Sequence, residues 1–238
     1  MTRVALTRCN NVSRLHRRRV FLLGPSHHWH TKRCALSLAT HYCSPLGDVP
    51  VDAALNAELQ ATRQFDTMTA DVDAAEHSLE LHVPFLVKLF AGRPFTLVPI
   101  LVGALSAESE AQYGRLLSGY LDEPDVLMVV SSDFCHWGRR FGYTPHDKAV
   151  GLVHEYVEAM DREGMRIIES GDSAAFTSYL ADTRNTICGR HPIGVLLHAL
   201  RSCRTPALRA RFTAYAQSSR ALKAGDSSVS YATAVVES

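Results

Sequence analysis

The chain has no acidic residue before Asp48, no C-x-x-C pair, no internal repeat and no apolar run near the length of a membrane span. Each absence excludes something. A bilayer-crossing helix needs roughly 20 apolar residues, and even the stretch from Phe95 to Leu105 is interrupted by Thr96, Pro99 and Gly103. Without paired Cys spacings, the six cysteines do not form a zinc-ribbon or thioredoxin-type motif. They read instead as reduced thiols of a cytoplasmic protein. The acid-free start carries eight basic residues, and its Arg-rich composition makes a mitochondrial transit segment the alternative address. The formal net charge of the whole chain is only +1, which argues against a nucleic-acid partner.

What is present reads as one α/β domain. With 238 residues, 46% of them hydrophobic, the chain can bury a sizeable core. Residues 1–18 form a basic, divergent segment, and 19–238 form the domain. Apolar runs at 19–24, 95–103 and 126–130 read as buried strands, and 209–217 and 228–236 as further strands. Pro99 predicts a bulge or an edge position for its strand. Helical patterns cover 52–63, 73–90, 106–121, 145–160 and 173–182. Another starts with Pro192 at its first position. The strand, helix and strand between Phe95 and Asp133 have the length of a right-handed parallel crossover. A mixed, mostly parallel sheet flanked by helices is therefore expected.

The chemistry collects at strand ends, where open α/β sheets bind ligands. One strand runs into Ser26-His27-His28, another into Ser131-Ser-Asp133-Phe-Cys-His136. The spacing over 73–90 predicts a helix capped at Asp73 or Ser78, with Pro84 in its first turn or at a kink. On it Glu76 and Glu80 are four apart and His77 and Glu80 three apart, so an acid and an imidazole share a face. Cys188 lies just ahead of a helix start and two residues from Arg190, both of which favour a thiolate. Ordinary loop histidines, a solvated Glu/His face and a small packed cysteine account for the same residues. Imidazole and carboxylate suit non-haem Fe(II), and an added thiolate extends the choice to copper or zinc. A cysteine hydrolase using Cys188 with His136 or His27 as base and Asp133 as orienter is the other chemistry.

Several blocks carry a resemblance. Val20-Phe-Leu-Leu-Gly-Pro-Ser-His-His28, Glu76-His-Ser-Leu-Glu80, Pro99-Ile-Leu-Val-Gly-Ala-Leu105 and Val130-Ser-Ser-Asp-Phe-Cys-His-Trp-Gly138 come in this order. Thr186-Ile-Cys-Gly-Arg-His-Pro-Ile-Gly194, Tyr215-Ala-Gln-Ser-Ser219 and Asp226-Ser-Ser-Val-Ser-Tyr-Ala232 follow them. Together they resemble the Memo family (mediator of ErbB-driven cell motility) from Arg19 to the C terminus. The resemblance implies a fold similar to class III non-haem iron extradiol dioxygenases, without established catalytic activity. It implies copper or iron binding, phosphotyrosine-peptide or receptor partners, and a role in cell-motility signalling or redox and metal homeostasis.

Carried over position by position, the family pocket corresponds to His27, Asp133, His136 and Cys188, with His27 and Cys188 as metal ligands. His28, His77, Glu80 and Arg190 are the further pocket candidates. The family's Pro-His-Ala-Gly-Tyr motif, which supplies one more histidine ligand, and its His-Ala-Gly-Ser-Trp-Tyr motif do not occur in residues 1–18. A shortened start is the expectation, divergence the alternative, and an inactive truncated form the corresponding alternative function. A non-haem Fe(II) dioxygenase-like or cysteine-dependent enzyme remains the catalytic alternative.

Overall fold

Three strands whose residues are almost all apolar build the centre. In the computed structural model they are β2 (Arg19–Pro25), β7 (Thr96–Val102) and β8 (Val126–Val130). The structure describes Thr7–Arg8 and residues 19–90, 92–205 and 207–237. The remaining strands are β1 (Thr7–Arg8), β3 (Cys34–Leu36), β4 (His41–Tyr42), β5 (Val49–Pro50), β6 (Asp66–Thr67), β9 (His136–Gly138), β10 (Arg209–Gln217) and β11 (Ser227–Glu237). The helices are α1 (Ala53–Ala61), α2 (Ala70–Ala75), α3 (His77–Glu80), α4 (Val83–Phe90), α5 (Ala107–Leu121), α6 (Val153–Ser170), α7 (Ser173–Thr183) and α8 (Arg190–Ser202). Apart from β1, the basic segment 1–18 lies outside the described residues.

The main sheet has the order β6-β3-β7-β2-β8, parallel except where β3 meets β7. Both faces are covered, which explains the continuous apolar runs. Phe21, Leu23, Val98, Ile100, Met128 and Val130 enter one core, shared with α5 to α8 and the β10–β11 pair. Val20, Leu22, Leu97, Leu101, Leu127 and Val129 enter the other, closed by Leu79, Val83, Leu86 and Phe90 of α3 and α4. A second sheet runs β1-β11-β10, with β9 also paired to β11. No helix among the described residues is long and apolar enough to cross a membrane.

Three helix expectations change, and Pro84 takes the first-turn place its missing N–H requires, at the second position of α4. The helix over 73–90 is broken in two places, because Glu76 adopts an extended conformation and caps α3 through a bond from the Ser78 N–H. The segment 145–160 begins as turns, and α6 starts only at Val153, where Glu155 accepts the Leu152 N–H at 2.7 Å. Pro192 is third in α8, not first; Gly189 is the cap.

Pro99 lies in an interior strand, not at an edge. Pairing with β3 stops at Ile100, and beyond it the flank of β7 is taken by Val51 and by the Asp52 N–H on the Leu97 carbonyl. Pro99 thus falls in the gap between two partners. The β7–α5–β8 connection likewise does not join neighbours, since β2 is inserted between β7 and β8. That insertion places the carboxyl ends of β2 and β8 side by side.

Candidate functional site

Parallel pairing of Leu23 with Val130 brings the two histidine-bearing loops to the same edge of the sheet. The Ser131 N–H donates to the Leu23 carbonyl at 2.8 Å, and the loops diverge from there. His27 leaves β2 at this point. Its backbone N–H donates to Glu76 Oε2 at 2.8 Å, and its Nδ1 lies 2.9 Å from Glu76 Oε1. One carboxylate therefore fixes both the backbone and the ring.

Glu76 is buried, with 1% of its side chain exposed. Burial alone would raise its carboxyl, but hydrogen bonds from the His27 ring and backbone and from the Ser78 N–H outweigh that and bring it down to about 2. The approach of α3 to β2 depends on Gly24. A Cβ there would stand 2.4 Å from Ser78 Oγ, which itself donates to the Pro25 carbonyl. A bulkier residue at 24 would push α3, and Glu76 with it, off the strand.

Cys188 also acts on the His27 ring. With Nδ1 taken by Glu76, Nε2 is the nitrogen left open. Hydrogen bonding with Cys188, then with Glu76, raises His27 to about 10. Cys188 is held by the β8 loop: Asp133 N–H donates to its Sγ at 3.0 Å, and the Cys188 N–H donates to the Asp133 carbonyl at 3.2 Å. Gly189 allows this fit, since a Cβ would sit 2.4 Å from Ser132 Cβ and 2.5 Å from the Ser131 carbonyl oxygen. Glu76, His27 and Cys188 thus gather at the end of the sheet.

His136 stands on the same loop with its tautomer fixed by the backbone. Nδ1 donates to the carbonyls of Phe134 at 3.0 Å and Thr186 at 3.1 Å, leaving Nε2 as an acceptor. Pairing of β9 with β11, and the Ser230 N–H on the Cys135 carbonyl, fasten the loop from behind. There, buried Asp161 accepts from Tyr215 Oη at 2.9 Å and Asn185 Nδ2 at 2.8 Å, and burial pushes its carboxyl up to about 6.

The other candidates fall in different places. The half-exposed His77 stacks on His27 at 4.3 Å between ring centroids, with its Nδ1 3.7 Å from Glu76 Oε1. His28 is exposed and meets the edge of His77 at 6.2 Å. Arg190 opens α8 and donates from Nε to the Ile187 carbonyl. Glu80 is not beside His27: it is exposed and lines a separate cavity of about 470 Å3 with Tyr42, Met68 and Asp73. Glu76 is the acid at the site. Helical spacing would set it four residues from Glu80, and its extended backbone is what redirects it. Thr186, which exchanges bonds with the His136 backbone, stands in the Thr186–Gly194 block, but nothing local marked it as a partner of His136.

The Glu76–His27 pair carries a pH signature in the metal-free protein. Because Glu76 is pulled below its ordinary 4.5, its contribution to stability is present above that pH and is lost as pH falls toward 2. His27 is raised above its ordinary 6.5, by Cys188 first and by Glu76 second, so the share that Glu76 supplies is full below 6.5 and is lost as pH rises through about 10. The stability difference between wild type and Glu76→Gln should therefore be largest between pH 4.5 and 6.5. Thermal unfolding across that range checks it.

A family model described as Memo-like protein matches residues 3–235. Protein MEMO1 of Danio rerio is 48% identical over 219 residues, covering 90% of this chain and 74% of the relative. Protein MEMO1 of Homo sapiens is 47% identical over 219 residues, with 90% and 74% covered. Protein memo-1 homolog of Caenorhabditis elegans is 43% identical over 222 residues, covering 92% of this chain and 63% of the relative.

Proposed function

For a chain that belongs to the Memo family, we propose that the corner between His27 and Cys188 binds a redox-active transition metal, copper or iron. The observation that carries this is the buried Glu76 carboxylate on His27 Nδ1. Metal-binding histidines commonly pass their second ring N–H to a carboxylate, which fixes the tautomer and raises the basicity of the ligating nitrogen. Here that bond leaves Nε2 open, and the neighbouring Cys188 sulfur already receives a backbone N–H. Thiolate and imidazole form a soft-to-borderline donor set, suited to Cu(I) and to iron. The residues therefore fit the group.

His27 Nε2 and Cys188 Sγ would hold the ion, with Glu76 and the Asp133 N–H orienting the two donors. Asp133 and His136 form the wall beside them. A bound copper or iron would supply one-electron redox chemistry. We assign the protein to metal or redox homeostasis linked to cell-motility signalling. Titration with Cu(I) against a competing chelator tests the site. His27→Ala should lose binding, while His28→Ala, one residue away but outside the Glu76–His27–Cys188 cluster, should keep wild-type affinity. Equal losses in both variants would overturn the assignment.

A phosphotyrosine peptide as partner has its own support. Beyond the β8 loop, Phe141 packs edge-on against His136 at 5.2 Å, and the Arg140 guanidinium lies 4.4 Å from the Phe141 ring centroid. Aromatic, imidazole and guanidinium groups together suit an aryl phosphate. Peptide binding that survives chelation and is lost in His136→Ala is the expected result.

A further inference from the structure

We propose that the His27 ring carries a second cation position on its other nitrogen, formed by His27 Nδ1, Glu76 Oε1 and His77 Nδ1. It takes a divalent ion of the Fe(II) or Zn(II) class and does not use Cys188. The ligand atoms of these three residues all lie within 4.8 Å of one another. His27 Nδ1 and Glu76 Oε1 are 2.9 Å apart, and His77 Nδ1 is 3.7 Å from the same oxygen.

The spacing suits a metal. Bonds of about 2.0–2.2 Å set neighbouring donors roughly 3 Å apart at octahedral angles and roughly 3.5 Å apart at tetrahedral ones. The first pair is already at that distance, and only His77 must close in. It can do so, because 52% of its side chain is exposed and it stands at the start of the four-residue α3. Its ring already stacks on His27.

The donor chemistry separates this position from the sulfur corner. Two imidazoles and one carboxylate are the ligands of non-haem Fe(II) sites with open positions, and also of catalytic zinc sites. Cu(I) prefers the sulfur. On binding, the cation replaces the proton shared between His27 Nδ1 and Glu76, and that proton leaves to solvent. Glu76 then changes from orienting the ring to ligating the ion. Both imidazoles reach solvent and the carboxylate is buried, so His77, the more exposed of the two side chains, controls access to the position.

Co(II) is the probe, because thiolate ligation gives a near-ultraviolet charge-transfer band that imidazole and carboxylate do not. In Cys188→Ser, Co(II) should bind with one-to-one stoichiometry and no such band. Adding His77→Ala to that variant should weaken binding by about tenfold or more, the loss of one ligand in three. His77→Ala alone should leave the charge-transfer band of the sulfur corner and its midpoint unchanged.

If Cys188→Ser binds no Co(II), or binds it equally well without His77, the second position does not exist. A charge-transfer band in the wild type would leave the sulfur corner standing in either case. Conversely, absence of the band in wild type, with His77-dependent Co(II) binding in Cys188→Ser, would keep the second position and remove the first. Since His77 is half exposed, circular dichroism of both His77→Ala variants should match that of their parents.

Discussion

Glu76→Ala should lower the stability of the metal-free protein by about 3 kcal/mol and weaken its metal affinity roughly 10- to 100-fold. The first effect comes from three hydrogen bonds lost together: those from the His27 backbone, the His27 ring and the Ser78 N–H, at 2.8 to 2.9 Å. Bonds to a charged acceptor are worth about 1.5–3 kcal/mol each, reduced here because His27 is partly open to solvent. For a chain of this size the loss corresponds to a fall in Tm of about 6–12 °C. The second effect needs no unfolding. Without its carboxylate the ring can rotate or change tautomer, and Nε2 no longer waits for the ion. Thermal unfolding and Cu(I) competition on the same preparation separate the two. Glu76→Gln keeps one acceptor for the His27 backbone and should fall between wild type and Glu76→Ala in both.

Cys188→Ser has the reverse profile: a small change in stability, about 1 kcal/mol or less, and the larger loss in affinity for Cu(I). A serine oxygen can still accept the Asp133 N–H that now reaches Sγ at 3.0 Å. It cannot replace a thiolate for a soft cation. The loss for Cu(I) should exceed the roughly 100-fold upper range of an orienting residue such as Glu76. Fe(II), which accepts imidazole and oxygen donors, should lose less. A chelator-competition titration with both ions gives the ratio. Equal losses would mean that Cys188 acts through packing and not through its sulfur.

The strands that position the site were plain in the sequence because both sheet faces are buried. Val126–Val130 is entirely apolar, and the structure buries every residue of it. That β2 would lie between β7 and β8 was not legible. Nothing local in Arg19–Pro25 specifies its neighbours, and the order is settled by which apolar faces pack together. The same adjacency brings His27 beside the Asp133–His136 loop.

Glu76 was hidden for a different reason. The spacing over 73–90 favours a helix, and on a helix running through it Glu76 shares a face with Glu80 and not with His27. The structure instead satisfies the His27 and Ser78 N–H groups with the Glu76 carboxylate, and the helix breaks to let it reach them. A tertiary hydrogen bond overrode a local period. Cys188 was legible as a thiol near a helix start, but its contact with His27 depends on Gly189 letting the α8 turn settle against Ser131 and Ser132.

The most direct test is X-ray absorption at the copper edge on protein loaded with one equivalent of Cu(I). The Glu76–His27–Cys188 arrangement predicts a sulfur and at least one imidazole nitrogen in the coordination shell, with the sulfur gone in Cys188→Ser. A shell of nitrogen and oxygen alone in the wild type, or a shell unchanged by Cys188→Ser, would contradict it.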